Sequence, residues 1–142
     1  MAKLQNIVGL FGTVSESTWR ESVIARLEAQ GIAYFNPVVP DWTPAFAEVE
    51  AEHMASDRVI MLVITGEWES YGSLAETGWA ALTAAKNGQT LLLVIQDHHG
   101  SPNSAANRAR ALVRAHAQKA GVTVYADIDT AVTTAIKIFR NR

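Results

Sequence analysis

One stretch constrains this chain more than any other. The apolar run Val59–Ile64 (VIMLVI) leads into Thr65, Gly66 and a polar loop to Ser73, and a helical pattern follows as far as Lys86. The run is too short for a helix and rich in β-branched residues. Such a run reads as a strand buried on both faces, as in the middle of a parallel sheet. In the helix after it, Leu74, Trp79, Leu82 and Ala85 fall near one face, which is expected to point inward. Asn87-Gly88 closes that helix with residues that tolerate a left-handed turn. The loop then lies at the carboxyl end of a central strand, where open α/β sheets bind their ligands. Glu76 is expected in the first turn of the helix, where the dipole favours an ionised carboxylate and suits a nucleophile. The competing reading is a capping box, Ser73-x-x-Glu76.

The rest of the chain repeats the alternation. Ile7–Val14 reads as a first strand, and Thr18–Gln30 as an amphipathic helix with Trp19, Val23 and Leu27 inward and Gly31 as its stop. Ile32–Asn36 is a second strand ended by Pro37. The segment from Val38 to Pro44 is barred from regular structure by its prolines. Thr43-Pro44 reads as the start of a helix running to about Ser56. Leu91–Ile95 is a fourth strand, Ala105–Ala120 a helix, Val122–Tyr125 a short strand and Thr130–Phe139 the last helix. The order βαβαβαβαβα predicts an α/β fold: a flavodoxin-like three-layer sandwich on a five-stranded parallel sheet of order 2-1-3-4-5. Residues 1–142 are expected to form a single domain.

Composition excludes several classes. Net charge is −2 and no basic bias exists, which argues against a nucleic-acid polymer as partner. The chain has no cysteine, hence no disulfide framework and no thiolate metal site. The apolar runs are too short to span a bilayer and the amino terminus has no leader pattern, so a cytoplasmic location is expected. His98-His99 are adjacent, and neither HxxxH nor HExxH occurs, so no metal site is expected.

Three loops should converge at the carboxyl edge. In the first, Gly12, Thr13 and the hydroxyls to Thr18, with Arg20 beyond, offer donors to an anion. Capping of the helix by Ser17 or Thr18 is the commoner use of such hydroxyls. The second loop, Asn36-Pro37-Val38-Val39-Pro40-Asp41-Trp42, is stiffened by proline and carries an aromatic. Trp42 suits stacking on a base or sugar, or equally a packing contact with the next helix. Glu48 and Glu50 on that helix are placed to face the crevice, whereas Asp57 lies at the opposite edge. The third loop supplies Ser70, Gly72 and Ser73 on the approach to Glu76.

Taken together, Gly12-Thr13, Thr18-Trp19-Arg20, Tyr34 to Trp42 and Gly72 to Gly78 resemble the nucleoside 2-deoxyribosyltransferase superfamily, in its nucleoside 2-deoxyribosyltransferase-like branch, over roughly residues 6–100. The resemblance implies an enzyme that cleaves or exchanges the N-glycosidic bond of a nucleoside or nucleotide, with no cofactor. It gives Glu76 the role of nucleophile and a glutamate on the preceding helix that of proton donor, Glu50 first and Glu48 as the alternative. Gly12, Thr13, Arg20, Asn36, Pro37, Asp41, Trp42, Ser70, Gly72 and Ser73 become candidate substrate contacts. Ser70 stands where the transferases carry an aspartate and is similar instead to related monophosphate N-glycosidases. About Gly9 the transferases carry a tyrosine. Superfamily members assemble as dimers or larger, with a residue near His98, His99 and Ser101 completing a neighbour's pocket. Two other readings compete. One is a nucleotide sensor of the same fold without turnover, and the other, weaker, is a receiver-like interaction domain, which would need paired acids where Gly12-Thr13 stands.

Overall fold

The computed structural model describes residues 3–14 and 16–141. Ser15, counted above among the loop hydroxyls, lies outside them, as do residues 1 and 2 of the segment read for a leader. The chain alternates strand and helix throughout: β1 (Gln5–Gly12), α1 (Trp19–Ala29), β2 (Ala33–Phe35), α2 (Phe46–Ser56), β3 (Asp57–Ile64), α3 (Tyr71–Asn87), β4 (Thr90–Ile95), α4 (Ala105–Lys119), β5 (Val124–Tyr125) and α5 (Ile128–Arg140). All strand pairs are parallel and their order is β2-β1-β3-β4-β5, so the fold is the expected flavodoxin-like three-layer α/β.

Its centre is the apolar run Val59–Ile64 within β3. Every residue from Val59 to Ile64 is fully buried, with alternate side chains feeding two cores. Val59, Met61 and Val63 pack with Val8, Leu10, Trp19, Val23 and Leu27 against α1 and α5. Ile60, Leu62 and Ile64 pack with Phe11, Leu74, Ala80 and Ala84 on the other face, under α2 and α3. A strand covered on both sides needs no polar alternation, which is why this one reads as continuous hydrophobe. Among the described residues, no helix is long and apolar enough to cross a membrane.

Three local expectations are corrected. The first strand ends at Gly12, although the apolar pattern continues to Val14. Gly12 has φ +126°, and a Cβ there would stand 1.9 Å from the Val63 carbonyl oxygen, so the chain turns at the point where only glycine fits. Next, α3 begins at Tyr71, with Ser70 left-handed (φ 57°) as its N-cap, so the Ser73-x-x-Glu76 capping box does not form and Glu76 lies in the second turn. Finally, the buried face of α3 is Leu74, Thr77, Ala80 and Ala84 rather than the Trp79, Leu82, Ala85 stripe. Small residues let the helix sit close on the sheet, and Trp79 and Leu82 face outward.

Asp57, at the amino edge as expected, is wholly buried. One of its oxygens meets His53 Nδ1 at 2.8 Å, and Oδ2 has no hydrogen-bond partner. Desolvation pushes its pKa up to about 6, against the lowering effect of His53. The sign follows: an acid raised from 3.8 to about 6 stabilises the fold fully at low pH, and that contribution is lost as pH rises through about 6. Asp57→Asn keeps an acceptor for His53 and cannot ionise. Its unfolding free energy should therefore gain on the wild type as pH rises from about 4 to about 7, by up to roughly 2–3 kcal/mol. Parallel stability curves for the two proteins over that range would contradict the account.

Candidate functional site

Two loops stand side by side at the carboxyl ends of β1 and β3, and each is tied down from below; the first borders the cleft through Gly12 and Val14, whereas residues 65–70 of the second are not part of its wall. Arg20, in the first turn of α1, is only 5% exposed. Its Nε donates to the Leu10 carbonyl (2.9 Å), Nη1 to that of Thr13 (2.7 Å) and Nη2 to that of Gly12 (3.2 Å). The guanidinium also lies 4.4 Å from the Trp19 ring centroid, and Trp19 Nε1 donates to Thr13 as well. Burial lowers the pKa of Arg20 to about 10, with Glu76 acting in the opposite direction. Arg20 was expected among the anion ligands; its donors instead hold the β1–α1 turn.

Thr13 links that turn to the next loop. Its hydroxyl accepts from the Thr65 N–H at 3.0 Å and pairs with the Ser70 hydroxyl at 3.0 Å. Ser17 does not cap α1; it donates to Glu67 Oε1 at 2.7 Å, and Thr18 makes no side-chain cap either. Burial alone would raise the Glu67 pKa. The Thr65 hydroxyl close by, the residue's own backbone N–H, the Ser17 bond and the charge of His99 outweigh that and hold it below the usual value. The Thr65 hydroxyl is nonetheless buried without a hydrogen-bond partner of its own.

The cleft itself has a volume of about 280 Å³, near the lower end of ligand pockets, which run from roughly 300 to 1,000 Å³. Of the expected site residues it gathers Gly12, Pro37, Trp42, Glu50 and Glu76. Phe11, Val14, Val38 and Val39 complete its wall and were not singled out from sequence. Their signal was present, since Val38 and Val39 stand inside the proline-stiffened loop and Phe11 immediately precedes Gly12 at the end of the first strand. Trp42 is about half exposed, so its ring is open to a ligand.

Other candidates fall outside the wall. Asn36 accepts from the Val38 N–H at 3.0 Å, an Asx turn that shapes the loop. Asp41, Gly72 and Glu48 are exposed, and Ser73 gives its carbonyl to the Thr77 hydroxyl at 3.1 Å. Thr13, Arg20 and Ser70 lie behind the cleft in the bonds just described. Gly9 stands where a Cβ would meet the Phe11 ring at 2.6 Å and Asp57 Oδ2 at 2.8 Å, which leaves no room for a larger residue. Among the described residues, no group of three or more His, Asp or Glu side chains is placed to hold a metal.

Glu50 and Glu76 approach the cleft from different helices, α2 and α3. The helix dipole was expected to keep Glu76 ionised, but a second-turn position removes most of that effect. Instead desolvation, then the charge of Glu50, push its pKa above the ordinary glutamate value, and Arg20 offsets part of the rise. The residue as a whole is exposed, and it borders a cleft with a mostly apolar wall.

Breaking the lower tie should unsettle this edge of the sheet. Arg20→Met leaves three carbonyls of the turn without their donor and should lower the unfolding free energy by about 3 kcal/mol or more, read as a shift in the urea midpoint. A change under about 0.5 kcal/mol would mean that the guanidinium is not what holds the turn.

No curated protein matches the chain. A family model described as nucleoside 2-deoxyribosyltransferase-like matches residues 7–98, from the first strand through the fourth and into the loop that follows. That span takes in both carboxylates and all three loops around them, and on it the chain belongs to the nucleoside 2-deoxyribosyltransferase-like family.

Proposed function

We propose that this chain cleaves or exchanges the N-glycosidic bond of a nucleoside, through a covalent glycosyl ester on Glu76. The observation that carries the reading is the convergence of two carboxyls, Glu50 and Glu76, on one apolar cleft with an open indole at its rim. Each half of the reaction balances on that pair. A Glu76 carboxylate oxygen bonds to the anomeric carbon as the carbon–nitrogen bond breaks. The electron pair goes to the base nitrogen, which takes the proton of Glu50. Water or a second base then attacks the same carbon, Glu50 takes the incoming proton, and the ester bond breaks to restore Glu76. Two inversions give net retention. The charge of Glu50 acts on Glu76 and raises its pKa, which supports reading the two carboxyls as a working pair.

The reading favours a nucleoside over its 5′-phosphate. The hydroxyls and guanidinium that would cradle a phosphate are engaged internally: Ser17 by Glu67, Thr13 by Ser70 and Thr65, and Arg20 by three carbonyls. Glu67 adds a negative charge beside that loop, where a phosphate would be repelled. Binding without turnover is a second reading, and it draws on the crowding at Gly9, where the transferases' tyrosine has no room. Calorimetry that finds nucleoside binding with no product would favour it.

The protein incubated with deoxynucleosides, with and without an acceptor base, should release free base. Glu76→Gln should lose at least about 10³-fold in kcat/KM. Activity should fall on acidification with a midpoint above the ordinary glutamate range, because the nucleophile must be ionised and its pKa is raised. No release by the wild type, or undiminished release by Glu76→Gln, would overturn the proposal. Glu67→Gln should raise kcat/KM for a 5′-monophosphate relative to its nucleoside by roughly fivefold, as expected for removing one exposed like charge. An unchanged ratio would remove Glu67 from the account of selectivity.

A further inference from the structure

α2 is an unusual carrier for a reacting group, because it is fastened almost entirely at one end. Met54 is its one fully buried residue among those described. The ties cluster around it. Gln89 Nε2 donates to the Met54 and Asp57 carbonyls at 2.8 Å each, and Asn87 Nδ2 donates to the Ala55 carbonyl at 3.1 Å. His53 Nδ1 meets Asp57 Oδ1 at 2.8 Å. The His53 ring also lies flat on Phe35, with centroids 3.7 Å apart and planes 5° from parallel. Phe35 in turn touches Phe11, centroid to centroid 5.8 Å, and Phe11 is part of the cleft wall. Glu50 lies three residues before His53, on the same side of the helix.

The pair below this stack is costly to keep. Asp57 is fully buried, has an oxygen without a partner and packs against the bare Cα of Gly9. A buried carboxyl of this kind disfavours folding unless its one bond is retained. Asp57 is not among the residues that line the cleft, and neither Asp57 nor His53 is among the groups that act on Glu76. The network runs from the amino edge of β3 through His53 to the helix and floor of the cleft.

We propose that His53 is a positioning residue: its bond to Asp57 and its stack on Phe35 fix the angle at which α2 leaves the core, and so set how near Glu50 stands to Glu76. The inference rests on the proposed function only in taking those two carboxyls as the working pair. The field of Glu50 at Glu76 provides a gauge of their separation that needs no substrate.

The experiment is a titration of Glu76 by carboxyl carbon NMR in the full chain. Glu50→Gln calibrates it and should lower the Glu76 midpoint. His53→Phe keeps a ring on Phe35 and removes the bond to Asp57; it should lower the midpoint in the same direction, and the double variant His53→Phe/Glu50→Gln should titrate no lower than Glu50→Gln alone. Because His53→Phe strands a buried carboxyl, His53→Phe/Asp57→Leu removes both partners and should give the same fall in a protein that folds. In an assay of base release the loss should appear in kcat, by about tenfold, with KM little changed. A Glu76 midpoint equal to the wild type in the folded variants, while Glu50→Gln lowers it, would overturn the inference. So would a Glu50→Gln protein whose Glu76 midpoint does not move. The titration is independent of turnover, so an inactive wild type would sink the proposed function and leave this reading standing, and an unmoved midpoint would do the reverse.

Discussion

Buried guanidinium groups that collect backbone carbonyls hold this molecule's working edge in shape. Loops at the end of a buried sheet expose carbonyls that neither water nor a neighbouring strand can satisfy, and a buried charge needs several acceptors around it. Each need answers the other here. Arg20 gathers the carbonyls of Leu10, Gly12 and Thr13 where β1 turns away. Arg110, fully buried on α4, reaches across β4 to the next loop. It donates to the carbonyls of Thr65 (3.0 Å), Trp68 (2.7 Å) and Glu69 (3.2 Å), and to that of Gln96 (2.9 Å). Between them the Thr13 hydroxyl joins one loop to the other. With the turns fixed, α3 starts from a left-handed Ser70, and its second turn brings Glu76 to the cleft.

That arrangement changes the electrostatic account of Glu76. A first-turn carboxylate would be held ionised by the helix itself. A second-turn one depends on what surrounds it: a mostly apolar wall, a second carboxyl and a positive charge buried below. Arg20 cannot reach out to a ligand with its donors engaged, but its charge still acts at a distance on Glu76. One residue therefore holds the turn by hydrogen bonds and acts on Glu76 by its charge.

The sheet and its order were legible because they follow from coarse patterns. Val59–Ile64 has no polar residue and must be covered on both sides, and regular strand–helix alternation leaves few topologies. Glu76, Glu50 and the proline loop were legible as a set because chemistry and stiffness both show in residue type. What was misread turns on side-chain bonding. Arg20 beside a hydroxyl-rich turn looks like an anion site, and only coordinates reveal that its partners are carbonyls seven to ten residues earlier in the chain. Arg110 is one of several basic residues on its helix, and nothing in the sequence marks it as the one that lies inward. The face of α3 was assigned by hydrophobicity, whereas contact with the sheet selected small residues and left Trp79 and Leu82 outside. Asp57 and His53 are an i, i+4 pair of a common surface type, and Asp57 is buried where Gly9 leaves space for its carboxyl.

The central claim is a bond between one carboxylate and a sugar carbon. It is tested most directly by quenching the protein in acid during incubation with a deoxynucleoside and sequencing its peptides by mass spectrometry. The account predicts a deoxyribosyl mass increase confined to Glu76, which disappears once an acceptor base is supplied in excess before the quench. Base release with no adduct on Glu76, or an adduct on another side chain, would contradict it.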